Sequence, residues 1–276
     1  MRLVYDNLAD SATLSASSVS GSLVVDNMKN NYRAKVWRST GTSAVLTAVF
    51  SAPQFVSMVS MPFCNLTSTS YMRVKLFSDA AGTTAVYDSG NVLAVPPASF
   101  GNFGWGSEPL GVNHYTYSGV GVYATHWVTA GHVTCRRVEI SITDSQNSSG
   151  YIEASRLVIG SHWSPEVTAD VGVQLGFDDR SSHSKTQSGD TRTTLRPRKK
   201  TLNFNLGSLT DQEGAKVFGI LNGIPLGKLL FVSLFPENQD SGKEQAYQMF
   251  GRRSKVSAVV LAQFNAASHA FALEEI

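Results

Sequence analysis

Between residues 45 and 160 apolar and polar side chains alternate in short runs separated by turn residues. In YMRVKLF (71–77) Met72, Val74 and Leu76 take one face and Arg73 and Lys75 the other; in RRVEISITD (136–144) Val138, Ile140 and Ile142 alternate with Glu139, Ser141 and Thr143. That period of two is the mark of a strand with one face in a core. Between the runs stand Asp79-Ala-Ala-Gly82, Asp88-Ser-Gly90 and the stretch from Asp144 to Gly150. There Asp and Asn bond back to the chain and Gly accepts positive φ. The pattern predicts an antiparallel sandwich or barrel.

The pattern changes at GSHWSPEV (160–167), after which a new alternating run, VGVQLGF (171–177), begins. In LTDQEGAKVFGILNGIPLG (209–227) Thr210 and Glu213 have capping-box spacing, Val217, Phe218, Leu221 and Ile224 recur at helical spacing, and Gly223 with Pro225 is a stop signal. A helix over about 211–222 is predicted, burying Val217, Phe218 and Leu221. Strands are expected at 228–235, 247–253, 255–264 and 269–275. The chain is thus read as mainly β, with one domain over 1–164 and a second β domain carrying one helix over 165–276.

Composition narrows the function classes. The chain has 276 residues, 42% hydrophobic and 10% aromatic, with charged residues at only 16%, and Ser, Thr, Gly and Asn fill the shortfall as in turn-rich β proteins. A net charge of +2 is too small for a general polyanion binder. Cys64 and Cys135 form no CxxC pair, so a zinc knuckle and a redox motif are excluded; two buried free thiols are favoured, with a disulfide left open. MRLVYDNLADSATLSAS at the start has no continuous apolar region of signal length, so no secretory route is expected. The most apolar stretch, 257–273, is interrupted by Gln263, Asn265 and His269, so no membrane insertion is expected. The triplets Asn65-Leu-Thr67 and Asn147-Ser-Ser149 carry no meaning without that route.

No catalytic constellation is legible, and neither a cofactor nor a metal is expected. His114, His126, His132, His162, His183 and His269 are scattered, and no nucleophile elbow or phosphate loop is present. Asp178 and Asp179 read as a turn or an ion pair with Arg180, because adjacent strand residues point to opposite faces. Glu139 and Glu153, on separate predicted strands, read as solubilising acids. Trp37 and Trp127 sit in apolar, strand-like sequence and are expected in a core, whereas Trp105, in the glycine-rich ASFGNFGWGSEP (98–109), is a possible glycan contact. The basic run of Arg192, Arg196, Arg198, Lys199 and Lys200 lacks the interleaved aromatics of single-strand binders. It is read as a polar ribbon with a solvated or intersubunit face, not as a nucleic-acid site.

Several segments together resemble a known family. NNYRAKVWRSTGTSAVLTAVF (30–50), MRVKLFSD followed by TTAVYDSG, and CRRVEISITDSQNSSGYIEASRLVIG (135–160) resemble the discoidin-like jelly rolls of tailed-phage virion proteins. WSPEV, LGFDDRSSHSKTQSGDTRTTLRPRKKTLNFNLGSLTDQEGAKVF and LLFVSLFPE are similar to the strand-helix-strand belt domain of phage tail-tip proteins. The resemblance implies a jelly-roll β-sandwich followed by a split-barrel or belt-like domain, in a distal-tail or baseplate structural protein located in the virion and, during assembly, in the host cytoplasm. It implies a homo-oligomeric ring, a hexamer by family resemblance, that joins tail tube and baseplate hub proteins. On that reading the basic run is an arm whose exposed edge meets the next subunit. A glycan-binding module for adsorption to the host surface is the alternative.

Overall fold

The computed structural model describes residues 1–95, 121–196, 198–236, 241–263 and 266–276. The chain divides into two compact units, one of residues 1–164 with 230–248 and the other of residues 165–229 with 249–276. The first carries β1 (Arg2–Val4), β2 (Thr13–Ala16), β3 (Trp37–Arg38), β4 (Ser43–Val56), β5 (Met58–Cys64), β6 (Tyr71–Phe77), β7 (Ala85–Asp88), β8 (Val92–Leu93), β9 (Val122–Trp127), β10 (Val133–Thr143), β11 (Glu153–Ala154) and β12 (Val158–Gly160). Two antiparallel sheets form from them: β2-β4-β10-β6-β7 with β8 on β6, and β12-β5-β11-β3 with β9 on β5. They make a jelly-roll sandwich, one of the two antiparallel architectures that the alternating pattern predicts.

Register shows why the alternation works. Ala44, Ile142 and Met72 stand in one cross-strand row, Leu46, Ile140 and Val74 in the next, and Ala48, Val138 and Leu76 in a third. All nine face one core cluster with Trp37, Val59, Met61, Val122, Ala124 and Ile159 of the opposite sheet. Burying each larger aliphatic side chain stabilises the sandwich by roughly 1.5–3 kcal/mol. Trp37 is wholly buried and donates its indole N–H to the Ser18 carbonyl at 3.0 Å. At Gly160 a Cβ would lie 2.6 Å from Val4 and 2.7 Å from the Asp6 carbonyl, so only glycine lets the N-terminal strand lie against this sheet.

Residues 230–248 belong with the sandwich, although the sequence pattern assigns all of 165–276 to the second domain. β17 (Leu229–Ser233) pairs with β1 in the register Arg2↔Ser233 and Val4↔Phe231. α2 (Ser241–Tyr247), a second helix that the sequence does not signal, lies against the outer face of β9. Gln245 bonds both backbone groups of Tyr123, Glu244 accepts from the Trp127 indole at 2.9 Å, and Gln248 accepts from Thr125 at 2.7 Å. The reason is chemical: two of the outward side chains of β9 are aromatic and need a cover, which Phe231 supplies with its ring 6.1 Å from Tyr123 and 6.2 Å from Trp127.

The second unit holds β13 (Gln174–Asp178), β14 (Ser182–Lys185), β15 (Thr191–Thr194), β16 (Lys199–Leu209), α1 (Asp211–Gly223), most of β18 (Gln248–Arg253), β19 (Val259–Gln263) and β20 (Ala266–Glu275). Its sheet runs β18-β20-β16-β13 with β19 also on β20, while β14 and β15 form a separate two-stranded hairpin. The capping box is present, with Thr210 accepting from the Glu213 N–H and Glu213 accepting from the Thr210 N–H. The helix buries Gly214, Val217 and Ile220, which corrects the predicted stripe: Phe218 is 64% exposed and Leu221 only partly buried. The cause is a close approach at Gly214, where a Cβ would come within 2.7 Å of Ala267. A row of small and branched residues spaced by three therefore faces β20, and Phe218 is rotated outward. Among the described residues no helix is long and apolar enough to cross a membrane.

Candidate functional site

Most side chains singled out by chemistry have structural partners. Asp178 pairs with Arg180 at 2.7 Å and Asp179 with Arg198 at 3.0 Å, so the tandem acids are separate ion pairs. Glu139 sits on β10 beside Arg137, and Glu153 on the opposite sheet beside Arg38. Asn65 and Asn147 are both buried and commit their amide groups to the Tyr151 carbonyl and to the Asn65 carbonyl. Cys64 and Cys135 are free and buried, and burial pushes their thiols up to about 11 and about 12. The histidines are less scattered than they read, since the rings of His132 and His162 stack with centroids 4.9 Å apart and His162 bonds Ser57 at 2.6 Å. No group of three metal-ligating side chains occurs among the described residues. Trp105 lies outside the described residues.

The basic run divides into three parts. Arg192 and Arg196 are exposed on the β14–β15 hairpin and the segment after it. Arg198 and Lys199 point to acids of their own unit, Asp179 and Glu274. Lys200, only 6% exposed, does not belong to an open interface, because strand alternation puts it on the same inward face as Leu202 and Phe204.

A different cluster presents fixed polar and aromatic groups at the surface of the sandwich. β3 and β11 pair for only two residues, Arg38↔Glu153 and Trp37↔Ala154. With Trp37 and Ala154 turned into the core, Arg38 and Glu153 are turned outward. One Glu153 carboxylate oxygen accepts from Arg38 Nε at 2.8 Å and from Nη2 at 2.5 Å, and the guanidinium lies 4.1 Å from the centre of the Tyr151 ring. The Arg38 side chain is 34% exposed and that of Glu153 11%. Their mounting is rigid: the Glu153 N–H donates to Asn65 Oδ1 at 2.8 Å, and Asp144, fully buried, accepts from the Thr67 N–H and hydroxyl and from Asn147. Farther along the same face Arg33 lies 4.4 Å over the Phe63 ring. Planar donors and acceptors held beside an aromatic ring suit a ligand carrying adjacent hydroxyls on a ring with an apolar face.

No family model matches the chain, and no curated protein matches it. Solved structures are similar to part of the chain. A Ruminococcus gnavus GH29 fucosidase in complex with fucose is 13% identical with a TM-score of 0.40, over 58% of this chain and 27% of that one. The chain therefore matches little more than a quarter of that enzyme. Chitosan-binding module 1 of a Paenibacillus sp. IK-5 chitosanase/glucanase is 17% identical with a TM-score of 0.37, over 56% and 98% of the two chains. The family 32 CBM of C. perfringens NanJ, in complex with galactose, is 12% identical with a TM-score of 0.37, over 58% and 98%. At such identities the likeness concerns the fold alone.

Sequence reasoning missed Arg38, Tyr151 and Glu153 as a site. The signals were WRS at 37–39 and GYIE at 150–153, two of the segments that carry the family resemblance. Nothing in a single sequence says that they pair.

Proposed function

We propose that the chain is a non-catalytic glycan-binding protein whose sandwich contacts sugar through Arg38, Tyr151 and Glu153. The observation that carries this reading is the guanidinium held between the Tyr151 ring and the Glu153 carboxylate at the surface of the first unit. Groups held in place lose little freedom on binding, which is how a shallow site reaches useful affinity. Galactose and chitosan, named in the descriptions of two similar structures, are the first probes. Calorimetric titration should detect binding, and Tyr151→Ala and Arg38→Ala should each weaken it at least about tenfold, or about 1.4 kcal/mol. No binding of galactose, chitosan or a panel of other glycans, or binding unchanged in both variants, refutes the reading.

A second reading, self-assembly into a ring at a phage tail tip, rests on the second unit. Its β14–β15 hairpin is exposed on every residue, and Val171, Phe177, Leu195, Phe218 and Leu261 are large apolar side chains left open to solvent. Light scattering on the same samples separates the two, since a monomer at high concentration removes the ring.

A further inference from the structure

The second unit has a groove of its own on the outer face of its sheet. Its volume is about 360 Å³, and it is lined by Gly172 and Gln174 before and on β13, Asn203 to Asn205 on β16, Lys255 and Ser257, and Ala270 to Ala272 on β20. The registers Gln174↔Asn203, Asn203↔Ala272 and Asn205↔Ala270 put these side chains in rows on one face, opposite the stacked Phe204 and Phe271 rings beneath. Ala270 and Ala272 form a low apolar floor. One wall is the 254–257 segment, clipped to the floor strand by Ser254 N–H to the Ala272 carbonyl at 2.9 Å and by the Ser257 hydroxyl to the Ala270 carbonyl. The other wall is the edge near Gln174, about three strand spacings or ~14 Å away.

The groove's chemistry is specific. Asn205 is committed to Asp170, at 2.7 Å, which occupies that carboxylate. Gln174, Asn203 and Lys255 make no side-chain hydrogen bond or ion pair among the described residues, so three polar groups meet a flat apolar floor without an internal role. The groove lies near the lower end of the roughly 300–1,000 Å³ common for small-molecule sites. An amine on one wall and two amides across a small apolar floor fit a short sugar chain bearing a carboxylate: Lys255 to the carboxylate of one unit, Asn203 to its hydroxyls, Gln174 to the next unit, the alanines to a ring face.

We infer that this groove binds a uronate unit of an anionic polysaccharide. The inference extends the glycan-binding reading to a second, separate site, and its test distinguishes the two. The full chain is titrated with a galacturonic acid trimer and with the matching neutral galactose trimer, using wild type, Lys255→Gln, Asn203→Ala and Arg38→Ala, each checked for unchanged near-UV circular dichroism. Wild type should bind the galacturonate trimer, Lys255→Gln and Asn203→Ala should each weaken that binding about tenfold, and Arg38→Ala should weaken binding of the neutral trimer without removing the Lys255-dependent, salt-sensitive part of galacturonate binding. Raising salt from 0.05 to about 0.5 M should weaken the wild-type interaction and leave the residual binding of Lys255→Gln nearly unchanged. Absence of galacturonate binding, or binding that Lys255→Gln leaves unaltered, overturns the inference even if the neutral trimer binds at Arg38. Galacturonate binding that depends on Lys255 supports it even if the neutral trimer does not bind.

Discussion

Replacing Glu153 tests both the mounting of Arg38 and the reasoning behind the site. The pair lies between two regimes. Exposed ion pairs contribute about 0.2–1 kcal/mol, whereas removing one partner of a fully buried pair costs about 3–5 kcal/mol. The Glu153 side chain is 11% exposed and that of Arg38 34%, so the acid is largely desolvated while water still reaches the guanidinium. Two hydrogen bonds from Arg38 end on one oxygen, at 2.8 and 2.5 Å. Charge-assisted hydrogen bonds of this kind contribute about 1.5–3 kcal/mol. Glu153→Gln should therefore cost about 1.5–2 kcal/mol. Arg38→Met should cost about 2 kcal/mol, because it also removes the contact with Tyr151, about 0.5–1 kcal/mol at an accessible position. The double variant should cost less than the sum, with a coupling of about 1–2 kcal/mol. Urea unfolding followed by tryptophan emission measures it cleanly, since Trp37, Trp105, Trp127 and Trp163 all precede residue 165. A coupling below about 0.3 kcal/mol, the ordinary scatter of independent sites, refutes the claim that the two residues act as a unit.

Two further expectations follow from the second unit and from a sandwich turn. Val217→Ala should destabilise the second unit by about 1–3 kcal/mol while Phe218→Ala costs under about 0.5 kcal/mol, because only Val217 is buried; far-ultraviolet melting curves with the reverse order would return Phe218 to the core. Asp79 accepts N–H bonds from Thr83 and Thr84, which hold its carboxyl at about 2, below the ordinary 3.8. A depressed pKa stabilises the turn above the ordinary value and loses that effect as pH falls through about 2. The Thr83 and Thr84 amide resonances should then titrate near pH 2, and a midpoint near 3.8 refutes the turn geometry.

What the sequence revealed depended on whether its signal was local. The sandwich strands were legible because Met72, Val74 and Leu76, like Val138, Ile140 and Ile142, repeat with a period of two against one buried face. The α1 start was legible because its two capping partners are three residues apart. Its buried face was not, because Gly214 contributes contact by having no side chain, which a count of apolar residues passes over. α2 was hidden by its shortness and polarity, and its position depends on aromatic side chains more than a hundred residues earlier. Lys200 was read with the charges around it, although the same alternation that placed Leu202 and Phe204 inward places Lys200 with them. Arg38 and Glu153 were legible only as members of unrelated runs, since the strand pair that joins them is two residues long.

The return of residues 230–248 to the sandwich has a consequence for the newborn chain. On a ribosome residues 1–164 emerge with β1 lacking its partner strand β17 and with Tyr123 and Trp127 on β9 lacking the Phe231 ring that packs on both. They stay so until residues 165–229 have been made and the covering segment has followed. During that interval an unpaired edge and an aromatic face are open to chaperones and to neighbouring nascent chains. Slow translation through 165–229 should lengthen that exposure, so the yield of soluble protein becomes sensitive to the pace of synthesis in a stretch that belongs to the second unit.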